Sequence, residues 1–405
     1  MSNQLNLARK WRPKTFQDVR GQDVAVNMLR NSLYKNHFFP VYLFAGQRGC
    51  GKTSTARILA AAANCELLSS FQNNPQQGLP CLTCASCSSM QTGNHPDFIE
   101  IDAASHTGVD DVRTLLESCS FMPLLGRKKV YLIDEAHMLS KAAFNALLKV
   151  LEEPPAHTLF MLATTEISKV PETVRSRSFH LNFPPLDTQA LVEHLGRICI
   201  AENVTYDTPA LQLIVRESDG SARDALNVLE QARFAEASIT EEAVRKVLGI
   251  ISADHMSNIL ALTLTGNSVE LLQEMETLSR MTLNPGRLWQ LMLQVLRAHL
   301  WSSYNVSIHN SEIALSTESR QRIATAADKD RLHAIFDYLW RNEELFTATP
   351  YKFLFLEKIF LDICAGKIVA KPLVSEAPSV KPHAPHKPTS TPQITSHKPE
   401  QPIQR

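Results

Sequence analysis

Residues Val41 to Ala63 read VYLFAGQRGCGKTSTARILAAAA: an apolar run, a G-x-x-x-x-G-K-T box and an alanine-rich stretch. Few sequence features restrict a fold so tightly, because the box works only where a strand ends in a tight loop and passes directly into a helix. Gly46, Gln47, Arg48, Gly49, Cys50, Gly51, Lys52 and Thr53 form that loop. Its glycines let backbone N–H groups converge on phosphate oxygens, and the helix N-terminus adds a favourable dipole. Lys52 has the reach for β- and γ-phosphates, and the Thr53 hydroxyl suits Mg²⁺. A nucleoside triphosphate is the implied ligand.

The chain has 405 residues, more than one compact core accommodates, so two or three domains are expected. Basic and acidic residues balance at 41 each, so a DNA partner cannot be held by a global positive field. It would need local patches and helix N-termini. No apolar run approaches the ~20 residues of a membrane span, and the opening MSNQLNLARKWRPK lacks the core of a signal peptide. A cytoplasmic location without a membrane partner follows, where clustered cysteines mark metal more often than disulfides.

Up to residue 182 short apolar, β-branched runs alternate with amphipathic stretches. Strands are expected at Val41–Ala45, Phe98–Ile101, Val130–Ile133, Leu159–Ala163 and Phe179–Asn182. Alternating βα units imply a doubly wound α/β domain with its site at the carboxyl ends of parallel strands. After Pro184-Pro185 the pattern turns helical, with helices expected at Thr188–Glu202, Thr208–Ser218, Ser221–Ala235 and Thr240–Leu248. A second all-helical block, 251–366, carries apolar residues at helical spacing and no catalytic motif. From 367 to 405 the chain is rich in Pro, Lys, His, Ser and Thr and is expected to be a disordered tail.

Val130-Tyr131-Leu132-Ile133-Asp134-Glu135 is an apolar strand ending in two acids. Asp134 is placed to hold Mg²⁺ opposite the phosphate loop, and Glu135 to polarise the attacking water as general base. Thr164 and Thr165 end the next strand, where a hydroxyl can contact water or the γ-phosphate. Arg177 and Arg223 each lie near a turn or helix start; spacing alone does not separate a solvated arginine from one that neutralises phosphate. Cys65, Cys81, Cys84 and Cys87 form C-x15-C-x2-C-x2-C, which suits a tetrahedral structural Zn²⁺. An iron–sulfur cluster is the competing occupant. The intervening Glu66–Pro80 reads as a loop that such a clip would secure.

Together these segments resemble the AAA+ ATPases of clamp loaders, most closely the gamma/tau family of bacterial DNA polymerase III, in a short gamma-like form. The resemblance is carried by Ala8 to Phe16, Asp18 to Gln22, the phosphate loop, the cysteine cluster, Ile101 to Ser105, Leu132 to Leu139 and Leu151 to Pro155. It implies an AAA+ domain over 1–182 with a zinc insert at 65–87, a helical lid over 183–250 and an oligomerising collar over 251–366. It places Thr165 at the sensor-1 position and Arg177 as the arginine that reaches a neighbouring subunit's ATP. Arg223 falls at sensor 2, and Arg12 and Val19 beside the adenine. The implied partners are delta and delta-prime subunits, further copies of the chain in a pentameric ring, the sliding clamp, and primer–template DNA read by shape. The motif around Arg177 reads Ser176-Arg177-Ser178, without the family's usual cysteine.

For DNA phosphates, the segment Ser105 to Arg113 is a candidate, through a helix start, the Thr107 hydroxyl and Arg113. Two other functions remain to be weighed. A ring scaffold that binds nucleotide without hydrolysing it would not need Lys52, Thr53, Asp134, Glu135 and Arg177 intact. A branch-migration motor would share the phosphate loop and acids but not need the cysteine insert. No carboxylate constellation for nucleotide polymerisation is present beyond the ATPase pair.

Overall fold

The computed structural model describes residues 6–74, 78–105, 108–280, 283–306 and 315–367. The tail, and His106 and Thr107 of the candidate DNA segment, lie outside the described residues. The first part of the chain is a five-stranded parallel sheet of β1 (Val41–Gly46), β2 (Phe98–Asp102), β3 (Lys129–Asp134), β4 (Thr158–Thr164) and β5 (Phe179–Phe183). The spatial order is β2-β3-β4-β1-β5.

The near-continuous apolar runs are explained by two cores, one on each face. Side chains alternate along a strand, so Tyr42, Phe44, Val130, Leu132 and Met161 enter one cluster with helices Asp23–Tyr34 and Lys52–Ala63. Val41, Leu43, Tyr131, Ile133, Phe160 and Leu162 enter the other, against helices Val109–Ser118 and Lys141–Glu152. Each such large side chain, fully buried, contributes about 1.5–3 kcal/mol. β4 is buried at every position, whereas the edge strand β5 alternates. The register sets Ala45 beside Thr164 and Asp102 beside Asp134, so the polar strand ends form one rim.

The lid helices are Thr188–Ala201, Thr208–Arg216, Ala222–Ala235 and Glu241–Leu248. The expected caps are present: Ser221 Oγ accepts the Asp224 N–H, and Thr240 the Ala243 N–H. A two-residue parallel ladder, Thr205–Tyr206 with Ser238–Ile239, escaped the sequence reading. Lid residues Leu191, Leu195, Leu211 and Leu229 share the core of the first sheet face. The N-terminal box is clipped to the lid by Trp11 Nε1 donating to Glu202 at 2.8 Å and by Lys10 pairing with the same carboxylate at 2.7 Å.

Six helices follow among the described residues, Ala253–Thr265 to Lys352–Cys364, around a separate core. Arg287 joins this block to the lid through Glu217 at 2.9 Å. One expectation needs correction: the stretch after Cys65 is not all loop, because Leu68–Asn73 is helical and buries Leu68 and Phe71. Those two side chains supply the core contacts that a loop reading overlooked. No single described helix is long and apolar enough to cross a membrane.

Candidate nucleotide site and cysteine cluster

The phosphate loop leaves β1 at Gly46, where a Cβ would lie 2.1 Å from the Phe183 carbonyl oxygen, so no side chain fits between β1 and β5. At Gly49 φ is +79°, and a Cβ would lie 1.9 Å from Ser221 Oγ. The lid therefore rests directly on the loop, and only glycine permits the contact. Lys52 is 5% exposed, with Nζ donating to the Gly46 and Gln47 carbonyls at 2.8 and 2.7 Å. These carbonyls satisfy the buried ammonium.

Thr53 Oγ1 donates to Asp134 Oδ2 at 2.8 Å, which joins the two expected Mg²⁺ ligands across 81 positions of sequence. A hydroxyl and a carboxylate side by side form the hard oxygen donor set that Mg²⁺ takes. Glu135 follows in a left-handed conformation, φ +48°. Thr165 Oγ1 donates to Glu135 Oε2 at 3.2 Å.

A cavity of 680 Å³ opens over the loop, bordered by Arg12, Val19, Lys52, Thr53, Glu135 and Arg223. Residues from the N-terminal box, loop, sheet and lid thus converge. Burial lowers the Arg12 pKa, and Arg57, Arg223 and Arg9 lower it further against the opposing pull of Glu100. This concentration of guanidinium groups favours a polyanion. Arg177 is not brought here. It is exposed, pairs with Glu152 at 2.9 Å and donates to the Thr173 carbonyl.

Three features at or beside the phosphate loop escaped the sequence reading. His194 lies on a lid helix and borders the cavity; burial, then Arg197 and Arg20, push its pKa down to about 4, so it is neutral near pH 7. Thr55 also borders the cavity, fully buried, with a hydroxyl that has no hydrogen-bond partner. Gln22 Nε2 ties the Cys50 carbonyl of the loop (3.3 Å) to the Pro184 carbonyl at the entrance to the lid (2.8 Å). His194 and Gln22 act across long sequence separations, and the unpaired hydroxyl of Thr55 shows only in the packed structure.

The expected cysteines also meet. The Sγ atoms of Cys65, Cys81, Cys84 and Cys87 lie within 4.8 Å of one another, Cys81 and Cys87 at 3.9 Å. A tetrahedral ion with Zn–S of ~2.3 Å sets S···S near ~3.8 Å, so the sulfurs fit. The Cys84 and Cys87 N–H groups donate to Cys81 and Cys84 sulfurs at 3.3 and 3.4 Å, favouring thiolates. The Cys65 thiol, hydrogen-bonded by Cys87, is pushed down to about 5, while Cys87 is pushed up as it retains its proton.

Family models match in succession: DNA polymerase III delta subunit over residues 21–187, the DNA polymerase III clamp loader ATPase lid domain over 190–234, and domain III of the gamma and tau subunits over 239–348. The DNA polymerase III gamma subunit of Buchnera aphidicola subsp. Baizongia pistaciae is 38% identical over 85% of this chain and 93% of its own length. The chain belongs to the gamma/tau family of DNA polymerase III clamp loader subunits. The tau/gamma subunit of Haemophilus influenzae is 44% identical over 69% of this chain, which spans about two fifths (39%) of that relative. Among solved structures, the Thermotoga maritima RuvB Holliday junction branch migration motor aligns with 59% of this chain and 72% of its own. Its 22% identity and TM-score of 0.44 describe a loose architectural likeness with no functional weight.

Proposed function

We propose that this gamma/tau-family chain binds Mg-ATP in the 680 Å³ cavity and hydrolyses it as a clamp loader subunit, in the bacterial cytoplasm. One observation carries the reading: Lys52, Thr53, Glu135 and Arg223 converge on one cavity with Asp134 bonded to Thr53, whereas Arg177 is held elsewhere by Glu152. Lys52 and Arg223 neutralise the phosphates, Thr53 and Asp134 hold the metal ion, and Glu135 polarises the attacking water. Bound Mg²⁺ would supply charge neutralisation across the β- and γ-phosphates. Thr165 serves as sensor 1, and Arg12 and Val19 border the base. Arg177 completes the site of a neighbouring chain.

On this reading residues 1–182 are the ATPase domain, 183–250 the lid and 251–366 the collar that assembles copies of the chain with delta and delta-prime subunits. The assembly opens a sliding clamp and places it on primer–template DNA. Cys65, Cys81, Cys84 and Cys87 hold a structural zinc. Their mutual closeness supports a single ion, since a polynuclear iron–sulfur cluster would place its own atoms between the thiolates and spread them.

The test is ATP turnover of the chain assembled with its delta and delta-prime partners, with and without clamp and primed DNA. Strong stimulation requiring both supports clamp loading. Stimulation by branched or duplex DNA without the clamp would instead indicate a motor.

A further inference from the structure

Immediately after Glu135 the chain folds into a single 3-10 turn, Ala136–Met138, closed by the Met138 N–H on the Glu135 carbonyl at 2.8 Å. The turn follows the left-handed Glu135 and carries His137 back to the end of β4. There the ring is nearly enclosed, its side chain 8% exposed. Nδ1 lies 3.1 Å from Thr164 Oγ1 and 3.5 Å from Glu135 Oε2, and Nε2 lies 3.6 Å from Glu166 Oε1. Thr164 is itself fixed: it is fully buried and its hydroxyl oxygen accepts the Glu166 N–H at 3.0 Å. Glu166 is exposed and pairs outward with Lys169 at 2.8 Å.

The imidazole thus stands between two carboxylates, and one of them is the proposed general base. The Glu135 oxygen nearest the ring, Oε2, also receives the Thr165 hydroxyl. A general base takes a proton through a lone pair directed at the water. Here Oε2 accepts the Thr165 hydroxyl and faces the His137 ring at 3.5 Å.

We propose that His137 is a positioning residue which, with Thr165, holds the Glu135 carboxylate in a resting orientation, and that Glu166 competes for the same ring. Anything that draws the imidazole toward Glu166 releases Glu135. Glu166 opens the segment that runs through the turn Ile167–Lys169 and the helix Glu172–Arg175 to Arg177. A neighbouring chain that engages Arg177 therefore pulls on the segment that sets its donor's own Glu135. The inference rests on Glu135 being the base, and it adds a link from the arginine-bearing surface of a subunit to the hydrolytic carboxylate of that subunit.

The two sides of the ring make opposite predictions. Basal ATP turnover of the 405-residue chain, without clamp or DNA, should rise roughly fivefold in His137→Ala, the rate equivalent of losing one weak polar contact that holds a ground state. His137→Asn, which keeps a donor near the Nδ1 position, should return toward the parental rate. Glu166→Gln should lower basal turnover by about twofold to fivefold, because the ring is left to Glu135. KM for ATP should be unchanged in all three. A fall in kcat for His137→Ala, or a change of equal sign in His137→Ala and Glu166→Gln, overturns the proposal. Glu166 is exposed, so its variant remains informative if the His137 variants fold poorly. Glu135→Gln measured alongside separates the levels. If it retains turnover, the assignment of the base fails; if it abolishes turnover while His137→Ala leaves the basal rate untouched, only the resting-state inference fails.

Discussion

The α/β region and the helical block after residue 251 bury polar groups in different ways. In the helical block several such groups find partners within the same packing, although the buried Trp289 Nε1 has none. Ser257 Oγ meets His299 Nε2 at 2.8 Å, Ser319 Oγ donates to Asp254 at 2.6 Å, and Thr263 donates back to the Ile259 carbonyl one turn earlier. Around the phosphate loop, beside the paired Thr53 and Asp134, other polar groups lean on backbone or have no partner. Lys52 relies on loop carbonyls, Thr55 has an unpaired hydroxyl, and Glu135 sits in a strained left-handed conformation. Unfavourable local choices of this kind are tolerated where a ligand or a conformational step resolves them.

The sharpest way to break the contrast is Arg177→Ala. Its present partners are Glu152 and a backbone carbonyl on the surface, so folding and ATP binding should be unaffected. In the assembled ring, hydrolysis should fall by about 10³-fold, the scale of an arginine finger. An equal loss in the isolated chain would show that the residue acts within its own subunit. In the helical block the matching test is Trp289→Ala. Trp289 is 3% exposed and stacks on Phe346 with centroids 4.5 Å apart. Removing it should cost about 3–5 kcal/mol of stability in denaturant titration. ATP affinity should persist in native buffer, because no residue of that core borders the cavity.

Next in size is Lys52→Ala. Loss of the charge-assisted contacts to phosphate should weaken ATP binding by roughly 100-fold in equilibrium titration. Thermal stability without nucleotide should not fall comparably, because the variant relieves the desolvation cost of a buried ammonium, which offsets the loss of a donor to the Gly46 and Gln47 carbonyls. Unchanged ATP affinity would overturn the role of the loop and remove the functional half of the contrast.

How much of this was legible in the sequence follows from where each constraint resides. The phosphate loop, the acids ending β3 and the close C-x2-C pairs are local demands on backbone and spacing, so they stand out in one chain. The five strands were legible because two-sided burial leaves almost no polar residue in β1, β3 or β4. Arg12, Arg177 and Arg223 were legible only through resemblance, since an arginine near a turn carries no local mark. The Gln22 strut, the orphan Thr55 hydroxyl, the neutral His194 and the hold of His137 on Glu135 were not legible. Each exists only once strand ends and lid are brought together, as when Gln22 reaches Pro184 across 162 positions. The short helix Leu68–Asn73 was hidden by polar neighbours, and Phe71 anchors it to the core all the same.

The mildest test compares two histidines that burial renders neutral, His194 beside the cavity and His299 in the helical core. Both are pushed down to about 4 from an ordinary 6.5, His299 by burial first and then Arg320, against the opposing pull of Asp254. A depressed pKa means that the unfolded chain binds the proton first as pH falls. The native contribution is therefore complete above about pH 6.5 and is lost progressively as pH drops toward 4. For the 3%-exposed His299 the loss should be on the order of 2 kcal/mol. His299→Gln keeps a partner for the Ser257 hydroxyl and removes the titration, so it should flatten the acid limb of stability measured between pH 6.5 and 4. His194→Gln should flatten the same limb, and because His194 borders the cavity it should also change ATP affinity, which His299→Gln should not. If both substitutions altered ATP binding equally, the helical block would be coupled to the cavity, and the separation between the two regions would fail.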